Sequence, residues 1–298
     1  MCIRSSLFLV TFLSMQALCA QQPLADPVPG YRHTAAKSRF FAGESPARVK
    51  RVEENGFVKY QGINGVLAID EVTGLTVAVQ SNSHNKASRL SNTAVDSTSL
   101  LEPEEHNRRV LDYFVHAGLP RNQVAEMHAN TYLSASGPTS KAISLQPRVD
   151  GYASILSRKA GDFIVPDSVA WARMNMKGKV LGEWVYWPPI PSKVIDDARR
   201  LNELLNGPDR REYLSKLPSV QKMGRVVIRH SSPFAGDAFE SYASYDVVER
   251  TESPERGTAV AYVRHFGIDG QEIRLPQERR SLGVLDYPPK EGAQTLQK

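Results

Sequence analysis

Short, turn-bounded strand segments dominate this chain, and most connections between them are too brief for the crossover helices that parallel strands require. That constrains the fold more than any other feature. FVKY from Phe57 is followed by a Gly-Ile-Asn-Gly turn at 62–65, and VLAID with LTVAVQ then reads as a β-hairpin turning near Thr73 and Gly74. VAEMHANTYL alternates cleanly, with Met127, Ala129, Thr131 and Leu133 on one face and Glu126, His128, Asn130 and Tyr132 on the other. A strand region over 142–156, a Gly161-Asp162 turn, SVAWARMN, a Lys177-Gly178 turn and KVLGEWVYW continue the pattern. GRVVIRHS, SYASYDVVE, AVAYVRHF and QEIRLP complete it, the last two joined by a turn at Gly270.

Two amphipathic helices interrupt the strands. EPEEHNRRVLDYFVHAG predicts a helix over 104–117, with acidic residues at its positive end, Val110, Leu111, Phe114 and Ala117 on one face, and Gly118-Leu119 as a terminal cap. The second spans 193–206, with Ser192 as N-cap, an apolar stripe of Val194, Ile195, Ala198, Leu201, Leu204 and Leu205, and Gly207-Pro208 as its stop. A shorter helical or turn segment follows near 209–217. The expected fold is therefore α+β: mainly antiparallel sheets packed by two principal amphipathic helices. Strands, helix, strands recurs in both halves, which suggests two similar subdomains, at 53–158 and 159–280, between a flexible leader at 21–52 and a tail at 281–298. The polar run at 82–99 reads as a long surface loop.

The first twenty residues, MCIRSSLFLVTFLSMQALCA, follow the order of a secretory signal peptide: Arg4, an apolar core from Leu7 to Leu13, then small or neutral residues to Ala20. The core is too short to span a bilayer, and no later stretch is long enough, so no transmembrane segment is expected in a mature chain starting at Gln21. Lipid attachment at Cys19 is the alternative to a soluble periplasmic or extracellular product. Cys2 and Cys19 are the only cysteines. The mature chain would therefore rest on a packed core without disulfides and without thiolate chemistry. Loss of Arg4 would lower the formal net charge from +5 to +4, a mild excess without the aromatic array of a nucleic-acid surface.

The motifs of several chemistries are absent from the sequence. No H-E-x-x-H, G-x-S-x-G, Walker A or calcium-loop pattern occurs, so neither a metal site nor a cofactor is expected. His230, Ser231, Ser232 and Asp237 crowd together in RHSSPFAGD, but catalytic groups are normally collected by the fold. The distinctive stretch is GEWVYWPPIPS, where Trp184, Tyr186 and Trp187 stand beside Pro188, Pro189 and Pro191. These aromatics either pack the junction of a strand and a helix or form a ligand platform. The functional expectation is an exported, non-enzymatic binding or structural accessory module for an extracytoplasmic glycan, peptide or protein, with Trp184, Tyr186 and Trp187 as candidate ligand-binding residues. An exported hydrolase assembled from His128, His230 and distant carboxylate or serine groups is the alternative.

Overall fold

The computed structural model describes residues 26–31, 40–41, 43–63, 65–80, 102–134, 148–174, 180–218, 224–235, 239–253 and 258–276. The expected signal peptide with Cys19, the loop at 82–99, the Lys177-Gly178 turn and the tail at 281–298 lie outside the described residues.

The described residues form an α+β fold with two antiparallel sheets and three α-helices. Strands β1 (Lys50–Glu54), β2 (Phe57–Gln61), β3 (Gly65–Ile69) and β4 (Thr76–Gln80) are successive hairpins. Asn55 and Gly56 both have positive φ, the geometry a two-residue hairpin turn needs. At the β3–β4 turn the Asp70 carboxylate accepts from the Thr73 hydroxyl at 2.6 Å and the Val72 N–H at 3.1 Å, fixing the bend that Gly74 completes at φ 72°.

Helix α1 (Pro103–His116) precedes β5 (Val124–Ser134), β6 (Arg148–Ala160), β7 (Phe163–Met174) and β8 (Val180–Tyr186). β8 then inserts between β7 and β4, giving one sheet in the order β1-β2-β3-β4-β8-β7-β6-β5. Residue 158, where the sequence suggested one unit ending, lies inside β6. α1 ends as its sequence implies, with Gly118 at φ 98° and the Leu119 N–H donating to the Phe114 carbonyl at 2.9 Å. Its buried Val110, Leu111 and Phe114 meet Leu156, Ala170, Ala172, Val185 and Trp187 on one sheet face.

Helix α2 (Ser192–Asn206) and α3 (Arg210–Lys216) lead to the second sheet, β9 (Gly224–His230), β10 (Ser241–Ser253) and β11 (Thr258–Phe266), ordered β11-β10-β9. α2 buries Val194, Ile195 and Ala198 with Ile190, Phe163, Val165 and Ile228, while Leu201 and Leu205 join Tyr213, Tyr245, Val247 and Phe266. α2 thereby covers the seam between the sheets, along which β7 also meets β9.

Two local expectations are corrected. Ser192 is the first helical residue and not the N-cap; Pro191 holds that position at φ −61°, ψ 145°, and no side chain caps the helix. Gly207 stops α2 where the sequence places the stop, in an extended conformation. QEIRLP forms only a single bridge, Glu272 to Phe266, because the turn that returns the chain to β11 supports one pairing before the chain leaves it.

Part of the segment read as a leader is built into the fold. Val28 and Ile190 exchange backbone hydrogen bonds of 3.0 and 2.9 Å, and the Tyr31 N–H donates to the Trp187 carbonyl at 2.8 Å. Gly30 is required where this strap crosses the proline run, since a Cβ there would stand 2.6 Å from the Trp187 carbonyl oxygen and the Pro189 nitrogen.

Candidate functional site

The aromatic stretch is divided between the two faces of β8, as its alternation implies. Trp187 is 1% exposed, packs among the residues under α1, and donates from Nε1 to Gln123 Oε1 at 2.9 Å. Tyr186 is 3% exposed and donates its hydroxyl to the Ser231 carbonyl at 2.6 Å. Trp184 is half-buried on the Tyr186 side, packed with Phe57, Leu75, Val77, Phe234 and Phe239. Trp187 beneath α1 and Tyr186 beside Phe234 and Phe239 are therefore both buried and present no open face.

Arg158, which the sequence reading passed over, sits over the Trp187 ring at 5.2 Å. Its guanidinium is fully buried and donates to Gln123 Oε1 (2.9 Å), Ser168 Oγ (3.3 Å) and the carbonyls of Pro188 (2.5 Å) and Pro29 (3.2 Å). Burial pulls its pKa down to about 9, which still leaves it charged at neutral pH. Gln123 Nε2 also donates to the Pro29 carbonyl at 2.8 Å, so a buried cation and a carboxamide clamp the strap.

The two candidate histidines have unrelated surroundings. His128 is exposed on β5, with Nε2 3.2 Å from Glu126 Oε2. His230 is 3% exposed on β9; its Nδ1 lies 2.8 Å from Ser241 Oγ, and its ring stacks on Phe239 and meets Tyr186 edge-on. Burial, helped by the Arg158 charge, pushes its pKa down to about 3, so it is a neutral imidazole.

Beside His230 runs a partly buried ionic network. Arg229 Nη1 donates to Asp167 Oδ1 at 2.6 Å, and its Nε and Nη2 donate to Asp246 Oδ2 at 2.9 and 2.7 Å. Asp167 also accepts the His230 N–H at 3.1 Å, and Asp246 Oδ1 accepts from Ser244 Oγ and His265 Nδ1 at 2.7 and 2.8 Å. Burial pushes the Asp167 carboxyl up against the pull of Arg229. At Asp246 burial acts in the same direction, but hydrogen bonds from His265, Arg229 and Ser244 outweigh it and hold the carboxyl low. The network joins β7 of one sheet to β9, β10 and β11 of the other, and it fastens them together.

Among the described residues a concavity lies elsewhere. The strap, the β6–β7 turn and α2 enclose a cleft of about 400 Å³, within the range of small-ligand sites. Val28, Ala160, Phe163 and Ile195 form an apolar floor continuous with the core, and Asp26, Asp162, Arg199, Asn202 and Glu203 supply the polar rim. Arg199 is partly neutralised by Asp196 at 3.4 Å, so the rim is acidic on balance. Each rim residue lies on the strap, a turn or an exposed helix face and looks ordinary in the sequence. A smaller hollow of about 340 Å³ lies at the β1–β2 turn, beside Glu53, Glu54 and Glu71. Among the described residues no three His, Cys, Asp or Glu side chains are grouped as a metal ion would need, and no helix is long and apolar enough to cross a membrane.

No family model matches the sequence, and no curated protein matches it significantly. Among solved structures the chain is similar to the C-terminal domain of Bacillus megaterium YpeB, at 11% identity and TM-score 0.29, covering 83% of this chain and 97% of that one. It is also similar to an uncharacterized protein from Eubacterium rectale, at 9% identity and TM-score 0.35, covering 84% and 85% of the respective chains.

Proposed function

We propose that this protein is an exported, non-catalytic binding module whose cleft between the strap, the β6–β7 turn and α2 receives a short peptide segment. The observation that carries this reading is the cleft itself, an apolar floor with charged and carboxamide groups at its edge. A floor of Val28, Ala160, Phe163 and Ile195 suits an aliphatic side chain. Asp26, Asp162 and Glu203, opposed only by Arg199, suit a flanking lysine or arginine. A glycan is less well served, because the one aromatic ring on the floor, Phe163, is itself buried and offers little face for stacking on a sugar. A hydrolytic role for His230 would need a ring that reaches solvent and changes protonation near neutral pH. Its burial and its contact with Ser241 support a structural role. Export is supported by the order of charge, apolar core and small residues in the first twenty positions.

Calorimetric titration with short peptides pairing a leucine or valine with a nearby lysine tests the proposal, glutamate-for-lysine peptides and cell-wall glycan fragments serving as comparisons. The basic peptides should bind, and the exposed double change Asp162→Lys and Glu203→Lys should weaken them by about tenfold or more and favour the acidic peptides. Equal binding by parent and double variant, or binding of glycans alone, would refute the assignment.

A further inference from the structure

Four strands end the two sheets, and three of them carry the protections that natural edges use against unwanted strand addition. β1 is KRVEE, four charges in five residues. β5 exposes Glu126 and His128 and has two register irregularities. β9 lies against β7 of the larger sheet. β11 differs. It pairs with β10 in nine unbroken positions, and its sequence from Thr258 to Val263 contains neither charge nor proline. Tyr262 is 57% exposed, while Val263 (46%) and its cross-strand partner Val248 (50%) stand together on the opposite face.

The backbone shows how this edge is open. The His265 carbonyl accepts the Ile273 N–H at 2.8 Å, so the main-chain groups of His265 point away from β10. With the two-residue period of a strand, those of Val263 and Ala261 point the same way, whereas those of Tyr262 and Arg264 point toward β10. The turn through Gly270 occupies the edge at His265 and Phe266, and among the described residues no other strand pairs with the window from Val260 to Arg264.

We propose that this window pairs with the same window of a second copy, antiparallel about a two-fold axis at Tyr262, to make one continuous six-stranded sheet. In that register Ala261 of each protomer faces Val263 of the other in a hydrogen-bonded pair, and each such pair exchanges two N–H···O bonds. The two Tyr262 residues meet at the axis as a non-hydrogen-bonded pair, the closer of the two antiparallel spacings, where aromatic cross-strand pairs are favourable. The sequence is self-complementary there because the only charge in the window, Arg264, is already matched within its own chain by Glu249 at 3.6 Å and Glu272 at 2.5 Å. The two arginines also stand four residues apart along the paired strands, roughly 14 Å and beyond the screening length at physiological salt. A two-fold contact uses one patch twice and closes on itself, which removes the edge without leading to a filament.

Sedimentation velocity of the full-length protein over a wide concentration range, with hydrogen exchange at the Ala261 and Val263 amides, tests this pairing. A dimer is expected, with exchange at those two amides slowing as concentration rises. Tyr262→Lys, at an exposed side chain that leaves the β10 ladder intact, should weaken dimerisation at least about tenfold by placing like charges opposite each other. Tyr262→Phe should retain the dimer, and so should Ile268→Lys, which adds a charge at an exposed apolar residue outside the window. A monomer at every concentration, a Tyr262→Lys protein as dimeric as the parent, or equal loss in Ile268→Lys would overturn the proposal.

Discussion

Replacing His230 with asparagine should remove a specific part of the protein's pH sensitivity. In the folded protein burial, assisted by the Arg158 charge, holds this imidazole's pKa down to about 3. In the unfolded chain it returns to about 6.5. A depressed folded pKa means that the unfolded state binds the extra proton. The associated stability is therefore complete above about pH 6.5 and is lost as pH falls toward 3. At pH 5 one such histidine lowers unfolding free energy by about 2 kcal/mol relative to pH 7, and by pH 3 the loss reaches about 4 kcal/mol. Urea unfolding at pH 7 and pH 5, for the parent and His230→Asn, gives a difference of differences. Asp167, Asp246 and His106, whose pKa is also depressed by burial, remain in both proteins and largely cancel. The parent should lose about 2 kcal/mol more than the variant between the two pH values. Parallel pH dependences would show that His230 titrates normally and would refute its place as a neutral group enclosed by Phe239, Tyr186 and Ser241.

Three further outcomes follow from the packing and the N-terminus. Phe114→Ala and Leu201→Ala, at fully buried positions on separate helices, should each cost about 2–5 kcal/mol in denaturant unfolding, and losses below about 0.5 kcal/mol at both would overturn the helix orientations. Gly30→Ala puts a Cβ against backbone atoms that cannot swing aside, so it should destabilise by about 1–3 kcal/mol and speed hydrogen exchange at Val28 and Ile190; unchanged exchange would show that the strap does not depend on that close crossing. Mass spectrometry of the native protein should find an N-terminus near Gln21, an intact Met1 in the cytoplasm would refute export, and a diacylglycerol-modified Cys19 would replace the soluble product with an anchored one.

The elements were legible wherever local chemistry decides them. α1 and α2 follow their apolar stripes, the Gly118-Leu119 cap forms as written, and the β3–β4 hairpin turns where Asp70, Thr73 and Gly74 place it. The sequence also held one signal that was not used. Asn55-Gly56 between two strand-length runs is a strong hairpin mark, and it starts β1 at Lys50, within the end of the segment read as a leader. Sheet order was not legible, because the insertion of β8 between β4 and β7 depends on pairings across about a hundred residues that no local pattern encodes.

The same distinction explains why the aromatic stretch drew attention and the cleft did not. Trp184, Tyr186 and Trp187 are unusual residues in a short run, yet their environment is set by strand alternation: one face of β8 lies beneath α1 and the other packs with Phe234 and Phe239. The cleft inverts that relation. Asp26 comes from the strap, Asp162 from a hairpin turn, and Arg199, Asn202 and Glu203 from the solvent side of α2, so none stands out beside its chain neighbours. They meet because Pro29 is held by Arg158 and Gln123, and because Val28 bridges Ile190 at the entry to α2. The residues that most determine the shape of the cleft are thus a buried arginine and a glycine in the strap, neither of which touches the space it encloses. A substitution at Arg158 or Gly30 should therefore alter the cleft through its wall, while one at Asp162 or Glu203 should alter its charge and leave the fold intact.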